Sequence, residues 1–406
     1  MREIRTRLVA RSITEENRAS SPLELLFDLT FVVAIGSLVG QLAHAVSDGK
    51  AGEVLGPFLM VFFAIWWAWN QFTWLASAYD NDDVLYRVFT MVQMGGVLVL
   101  AAGVPAAFTK QDYLAITLGY LIMRLGLLAT LLRAVRDDPE SRPTTSRYVI
   151  GIAVVQLGWL LRLAFVPVDY IVIAFTVLVV AEAAVAPWAD RARPLSWHPH
   201  HIAERYGLFT IILLGESVLA VTIAVQEGIA DGVAPALVVV AVAGLILLFT
   251  LWWLYFSEPA AEGLTNRRER AYVWGYGHYF LFASLAAIGA ALEVAVVAVT
   301  GKAEASVVTV GYALAIPVAV FLVLLWLLHV PLVERVVIHP VATIGAAVLV
   351  LLSPLAAGAI GVLGVTVAIT VTCVALLVVT VTRRGARREP RAGRPEGTGQ
   401  ASRRSS

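Results

Sequence analysis

Cysteine occurs once in this 406-residue chain, at Cys373 inside an apolar run. No disulfide framework and no thiolate metal cluster can be built from it. Charge is nearly as scarce: Asp, Glu, Lys and Arg make up 15% of the residues against 59% hydrophobic ones, and the mean hydropathy is +0.80. That balance excludes a soluble globular domain. A Gly-rich phosphate loop, a His-Glu zinc-protease motif and a nucleophile elbow are all missing. No cofactor and no nucleic-acid partner is expected, and the net charge of +1 hides a strong segregation of charge along the sequence.

Long apolar runs are what the chain has instead. Read against the ~20 residues needed to cross a bilayer, they give twelve spans: 22–46, 54–78, 84–106, 113–135, 146–166, 168–187, 205–226, 233–257, 271–299, 305–329, 335–353 and 355–382. The last pair is separated only by Ser353-Pro354, which leaves a re-entrant element as the alternative there. The first run follows five arginines and ends at Ala43-His44-Ala45, the small-x-small form of a signal-peptide cleavage site. It is longer than a signal core and carries Glu24 and Asp28, so it is expected to be retained as the first span. The fold class is therefore all-α, a polytopic membrane helix bundle of about twelve transmembrane helices.

The spans can be oriented by their basic residues, since cytoplasmic loops carry the Lys and Arg excess. With the N-terminus inside, the inner segments hold five arginines before Ser21, then Arg87, a group from Arg133 to Arg147, Arg191, Arg193, Arg205, Arg267, Arg268, Arg270, Arg335 and eight from Arg383 onward. The outer connections hold only Lys50, Lys110, Arg162 and Lys302. Both termini are expected in the cytoplasm, in a cell membrane. The organisation that follows is a cytoplasmic segment 1–21, a six-span half 22–195, a second half 196–382 and a disordered Arg-rich tail 383–406. The partners expected are the bilayer, anionic lipids facing the cytoplasmic arginines, and an unidentified small molecule or ion.

The halves resemble each other. An offset of 180 lays Glu24 on Glu204, Thr30 on Thr210 and Ser37 on Ser217, and an offset of 186 lays Trp66-Trp67 on Trp252-Trp253 and Tyr86 on Tyr272. Six spans per copy would give two parallel halves related by an axis along the membrane normal. The run Ser21-Pro22-Leu23-Glu24-Leu25-Leu26-Phe27-Asp28-Leu29-Thr30-Phe31, with Asp82-Asp83-Val84-Leu85-Tyr86-Arg87, Glu204-Arg205-Tyr206-Gly207-Leu208-Phe209 and Leu214-Gly215-Glu216-Ser217, resembles the bacterial low temperature requirement A family over about 21–382. The resemblance implies a multi-span membrane protein and carries over no biochemical activity. The major facilitator superfamily also has two parallel halves, but its Gly- and Arg-rich loop between spans 2 and 3 is replaced here by Asp80-Asn81-Asp82-Asp83.

An ionisable side chain inside a bilayer costs about 2.5 kcal/mol or more on insertion scales, so each needs a partner or a job. Ser21-Pro22-Leu23-Glu24 reads as a capping box with Pro at the first helical position, which accounts for Glu24. Asp28, one turn deeper on the same face, has no such account and is expected to be ion-paired or functional. Glu216 lies about 18 Å beyond Glu204 along its helix, beside Gly215 and Ser217, either as a polar packing knot or as a proton or substrate site. Arg124 falls mid-span and needs a carboxylate: Glu216 matches its depth, with Asp28 or Glu182 as alternatives. Gln93 and His278 fall at nearly equivalent points of the two halves. Glu182, Glu293 and His44 read as satisfied interhelical groups, and His198, His200 and His201 as a surface turn.

Three readings stay open. A transporter-like or permease-like protein, with the possibility of proton coupling, would line a midplane cavity with Asp28, Arg124 and Glu216, with Ser217, Glu24, Glu204, Gln93 and His278 as further candidates. An intramembrane enzyme acting on a lipid or isoprenoid would use Asp80, Asp82 and Asp83 to hold a metal, a weak signal because the matching segment is Asn266-Arg267-Arg268-Glu269-Arg270. No other metal site is indicated. A structural or sensory protein would use the charges only to hold helices together.

Overall fold

In the computed structural model, which describes residues 4–12, 15, 18–229, 234–258, 260–332 and 337–388, secondary structure among the described residues is helical, and eleven helical segments are long and apolar enough to cross a membrane. The protein is a multi-pass membrane protein. The helices are α1 (Pro22–Ser47), α2 (Ala51–Ala78), α3 (Val84–Lys110), α4 (Leu114–Asp137), α5 (Arg142–Phe165), α6 (Ile171–Asp190), α7 (Pro199–Ile229), α8 (Pro235–Phe256), the short α9 (Ala260–Asn266), α10 (Ala271–Val299), α11 (Val307–His329), α12 (Pro340–Leu352) and α13 (Ala357–Arg388).

Helix α10 is the central post. Of its most apolar window 78% is buried, against 11% for α6 at the periphery, and it packs on α1, α7, α8 and α11. The valines of α6, such as Val172, Val177 and Val180, face outward, as expected where lipid is the solvent. Helices α3 and α4 meet backbone to backbone. A Cβ at Gly119 would stand 2.6 Å from the Gly96 oxygen and closer still to the Leu100 nitrogen, so only glycine allows that approach.

Residues 4–12 form a strap over the α2–α3 and α4–α5 connections. The N–H groups of Thr6, Leu8 and Ala10 donate to Asp83 (2.8 Å), Asp137 (3.2 Å) and Asp138 (3.3 Å), the every-second-residue spacing of an extended chain. Leu8 between them is fully buried.

At the other end of the chain the expected spans 335–353 and 355–382 take an irregular form. Helix α12 has 13 residues, about 20 Å of rise, and continues through a 3-10 turn at Ser353–Ala356 into α13. Helix α13 is kinked at Gly361, whose φ of 67° favours glycine. A Cβ on Gly311 of α11 would lie 3.0 Å from Pro354 and 3.4 Å from Val365. A straight helix cannot bring 354 and 365 to one point, so the chain turns back between them. Arg335 and the tail from 389 lie outside the described residues.

The tryptophan doublets that suggested a repeat sit in different surroundings. Trp66 and Trp67 are buried at 1%, whereas Trp252 and Trp253 are 44% and 51% exposed.

Candidate functional site

Buried charge gathers first where α1 meets α7. Glu24 and Asp28 are one turn apart on α1, and His201 and Arg205 are one turn apart on α7, so two complementary i, i+4 pairs face each other. Arg205 donates from Nε to Asp28 Oδ2 at 3.1 Å and from Nη2 to Asp28 Oδ1 at 2.5 Å, while its Nη1 reaches Glu24 Oε2. His201 Nε2 donates to the same Glu24 oxygen at 2.8 Å, and Trp69 Nε1 to Asp28 at 2.7 Å. Glu24 also closes the expected capping box: its Oε1 accepts from the Ser21 N–H and its own N–H donates to Ser21 Oγ, both at 3.3 Å. The capping expected from the sequence and the ion pairing found in addition use different oxygens of one carboxylate. Glu204 stays at the edge, accepting from the Ser20 N–H at 3.2 Å.

Arg124 forms a second knot. Its partners are Glu182 on α6 and the Tyr120 hydroxyl; Trp159 Nε1 donates to the other Glu182 oxygen at 3.0 Å, and the guanidinium lies 4.5 Å over the Tyr120 ring. The depth-matched partner expected for Arg124, Glu216, is elsewhere. Its Oε1 lies against Gly36 of α1, 2.5 Å from where a Cβ would be, and no hydrogen bond or ion pair to it exists among the described residues. Ser217 donates to the Leu213 carbonyl at 2.8 Å and packs on Gly289. Asp28, Arg124 and Glu216 thus occupy three settings rather than one cavity, because α7 supplies Arg205 to the acids of α1, and α6 supplies Glu182 to α4.

Gln93 lies under Gly126 and bonds weakly to the Phe89 carbonyl at 3.4 Å. His278 contacts the Trp274 carbonyl at 2.7 Å and the Tyr255 hydroxyl at 3.3 Å. Of the expected surface histidines, His201 is fully buried and His198 nearly so.

The acidic loop is spent on arginines. Asp80 pairs with Arg11 at 3.3 Å, Asp82 with Arg87 at 2.6 Å, and Asp83 with Arg133 while capping α3 through the Tyr86 N–H at 2.9 Å. Burial works to raise the Asp83 carboxyl, but Arg133 and the N–H groups of Thr6 and Tyr86 outweigh it and hold the group well below the usual carboxylate range. Burial wins at Asp80, whose carboxyl is raised. Among the described residues no group of three or more His, Cys, Asp or Glu could hold a metal, so these acids fit loop closure rather than a metal–diphosphate site.

A space that could take a ligand and is lined by polar and aromatic side chains lies elsewhere, at the arginine-rich end. A cavity of about 480 Å³ opens between α2, α4, α5, α6 and the start of α10, lined by Asn70, Trp74, Tyr148, Asp190, Tyr272 and Tyr276 among others. Helix α10 repeats tyrosine at i, i+4 and i+7. Tyr272 donates to Asp190 at 2.6 Å, Tyr276 to the Ala183 carbonyl at 3.2 Å, and Tyr279 to the Leu59 carbonyl at 2.8 Å. Tyr148 of α5 donates to the other Asp190 oxygen at 3.2 Å. Trp74 donates to Asn70, one turn earlier on α2, at 3.0 Å. Sequence reasoning nominated none of these residues. The tyrosine spacing on α10 and the His201/Arg205 spacing on α7 were the signals available.

The family model for the bacterial low temperature requirement A protein matches residues 19–381. The chain belongs to that family. The chain is also similar to an uncharacterized protein of Rhizobium meliloti (strain 1021), 29% identical over 295 residues that cover 68% of this chain and 69% of the relative. No solved structure matches. The match contains all of α1 to α12, so the charge knots and the cavity lie inside the part of the chain that defines the low temperature requirement A family.

Proposed function

We propose that this low temperature requirement A protein is a permease-like membrane protein that admits a small organic molecule to the cavity bounded by α2, α4, α5, α6 and α10. The observation that carries the reading is the position of that cavity. Its walls come from 22–195 on one side and from Arg268, Tyr272 and Tyr276 on the other, so movement of the halves against each other would open or close it. Its volume lies in the range of ordinary ligand sites, and apolar walls with a few convergent polar groups are the usual form of such sites.

On this reading the Arg205 knot is the pivot between halves. The arginine distribution supports a cavity mouth and both termini on the cytoplasmic side of a bacterial cell membrane, and the turn between 354 and 365 supports twelve crossings. Glu216, at the same α1–α7 contact but without a partner among the described residues, is the group suited to carry a coupling proton.

The test works whatever the substrate is. Ala186 lines the cavity, and Ala186→Trp would fill it. Metabolites and lipids are compared between a deletion strain complemented with wild type and one complemented with Ala186→Trp, at matched protein levels. The wild type should restore the pool changed by deletion and the filled variant should not. Equal restoration by both would overturn the reading.

A further inference from the structure

We propose that the cavity selects an organic cation with an apolar body, holding the cationic centre on the Asp190 carboxylate within a wall of aromatic rings. The proposal rests on the cavity being the binding site, as argued above, and adds the charge and chemistry of what enters it.

Asp190 differs from the acids of the two knots. Glu24, Asp28 and Glu182 each have an arginine. Asp190, at the end of α6, accepts from the Tyr148 and Tyr272 hydroxyls and from the Leu195 backbone N–H, and forms no ion pair among the described residues. A carboxylate offers about four lone-pair sites, so two tyrosines and the Leu195 N–H orient it and leave capacity facing the cavity. At the two knots the fold supplies arginine to acids that hold helices together; here it supplies hydroxyls and a backbone N–H that fix the carboxylate and leave its charge unmatched.

The other lining charges do not cancel it. Glu269 is a second carboxylate, and the one guanidinium, Arg268, is engaged by Trp197: it stacks 3.9 Å from the ring centroid and donates to the Trp197 carbonyl at 2.9 Å. An anion would face Asp190 with no free cation to meet it. A cation would supply the missing charge.

The aromatic wall favours the same class. Trp74, Tyr148, Trp197, Tyr272 and Tyr276 all line the cavity, and ring faces attract ammonium and guanidinium groups electrostatically. Arg268 over Trp197 is that attraction already made within the protein. About 480 Å³ is far more than an ammonium head alone needs, which is why the ligand is given an apolar body.

The test is equilibrium dialysis of the purified full-length protein, in uncharged detergent, with three probes sharing one ring: benzyltrimethylammonium, benzyl alcohol and phenylacetate. The cation should bind at least tenfold more tightly than either other probe. Asp190→Asn, which keeps the shape, an oxygen to accept from one tyrosine and an NH2 to donate to the other hydroxyl, should weaken the cation at least tenfold and benzyl alcohol less than twofold. Tighter binding of phenylacetate, or equal binding of all three, would overturn the charge selection; if Ala186→Trp then still abolished binding, the cavity as ligand site would stand. Binding of none of the probes would overturn the proposal, and a null effect of Ala186→Trp in the complementation assay would then remove the cavity reading too. The wild-type comparison decides the matter even if Asp190→Asn fails to fold.

Discussion

The α1–α7 contact and the α5–α6–α10 cavity both bury carboxylates, but they treat them differently. At the first, two acids meet a guanidinium and an imidazole N–H in a setting where Arg205 is fully buried. At the second, Asp190 has two hydroxyls and stays partly accessible. A matched, sealed charge can do little but hold its helices in register, whereas an unmatched one beside open volume can meet a ligand. The contrast separates the bolts of the molecule from its working surface, and it can be attacked at either end.

Removing a bolt should have the largest effect. Arg205→Leu leaves Glu24 and Asp28 buried without a cation, and breaking a buried pair by deleting one partner costs about 3–5 kcal/mol. The variant should express poorly or melt far below the wild type in detergent. Asp190→Asn, by contrast, can still accept from one hydroxyl and donate to the other, and should shift the melting temperature by only a few degrees. Equal losses in the two variants would erase the distinction between bolt and site.

The acidic loop carries the same contrast outside the membrane-spanning helices, where pH can read it. Asp83 is held low by Arg133 and two backbone N–H groups after these overcome its burial, so the folded protein keeps that charge to lower pH than the unfolded chain does. Its contribution is complete above about pH 5, starts to fall below about pH 4, and is gone only once pH has fallen through the depressed range of the folded carboxyl. Asp80, raised by burial and by the charge of Glu24 despite Arg11 at 3.3 Å, has the opposite sign: its charge opposes folding at neutral pH, and the penalty fades on acidification. Asp83→Asn should therefore cost about 1–2 kcal/mol at pH 7, roughly the loss of a helix cap, and only slightly less at pH 3.5, at the top of the range over which the contribution is lost. Asp80→Asn should be neutral or stabilising at pH 7. Thermal melts of the three proteins at both pH values check the signs.

How much of this was legible in the sequence follows from the kind of information each feature needs. The spans and the Ser21–Glu24 cap are local, written in apolar runs and a four-residue spacing, and they could be read directly. The partners of Asp28 and Arg124 are not local. Depth along a helix matched Arg124 to Glu216, but depth does not say which helix stands alongside, and α6 rather than α7 faces α4 at that point. The cavity was invisible for the same reason. Its residues come from five helices and two connections, and each looks like an ordinary interfacial aromatic until α10 brings Tyr272 to Asp190.

The smallest expected effect sharpens the comparison on α7 itself, where the Arg205 knot and the unpartnered Glu216 share one helix. Gly36→Ala on α1 would put a methyl 2.5 Å from Glu216 Oε1. Alanine improves a helix interior by roughly 0.5–1 kcal/mol over glycine, while overpacking a rigid neighbour costs about 1–3 kcal/mol. The atom in the way is the far end of a flexible side chain held by no hydrogen bond among the described residues, so it can swing aside. Gly36→Ala alone should thus change stability by less than about 0.5 kcal/mol, the two terms nearly offsetting. In a Glu216→Ala background the clash is gone, and the same substitution should stabilise by the full helix-propensity gain. A large loss in the single variant, restored by Glu216→Ala, would mean that Glu216 is fixed against Gly36 as firmly as Asp28 is fixed to Arg205, and that it belongs with the bolts.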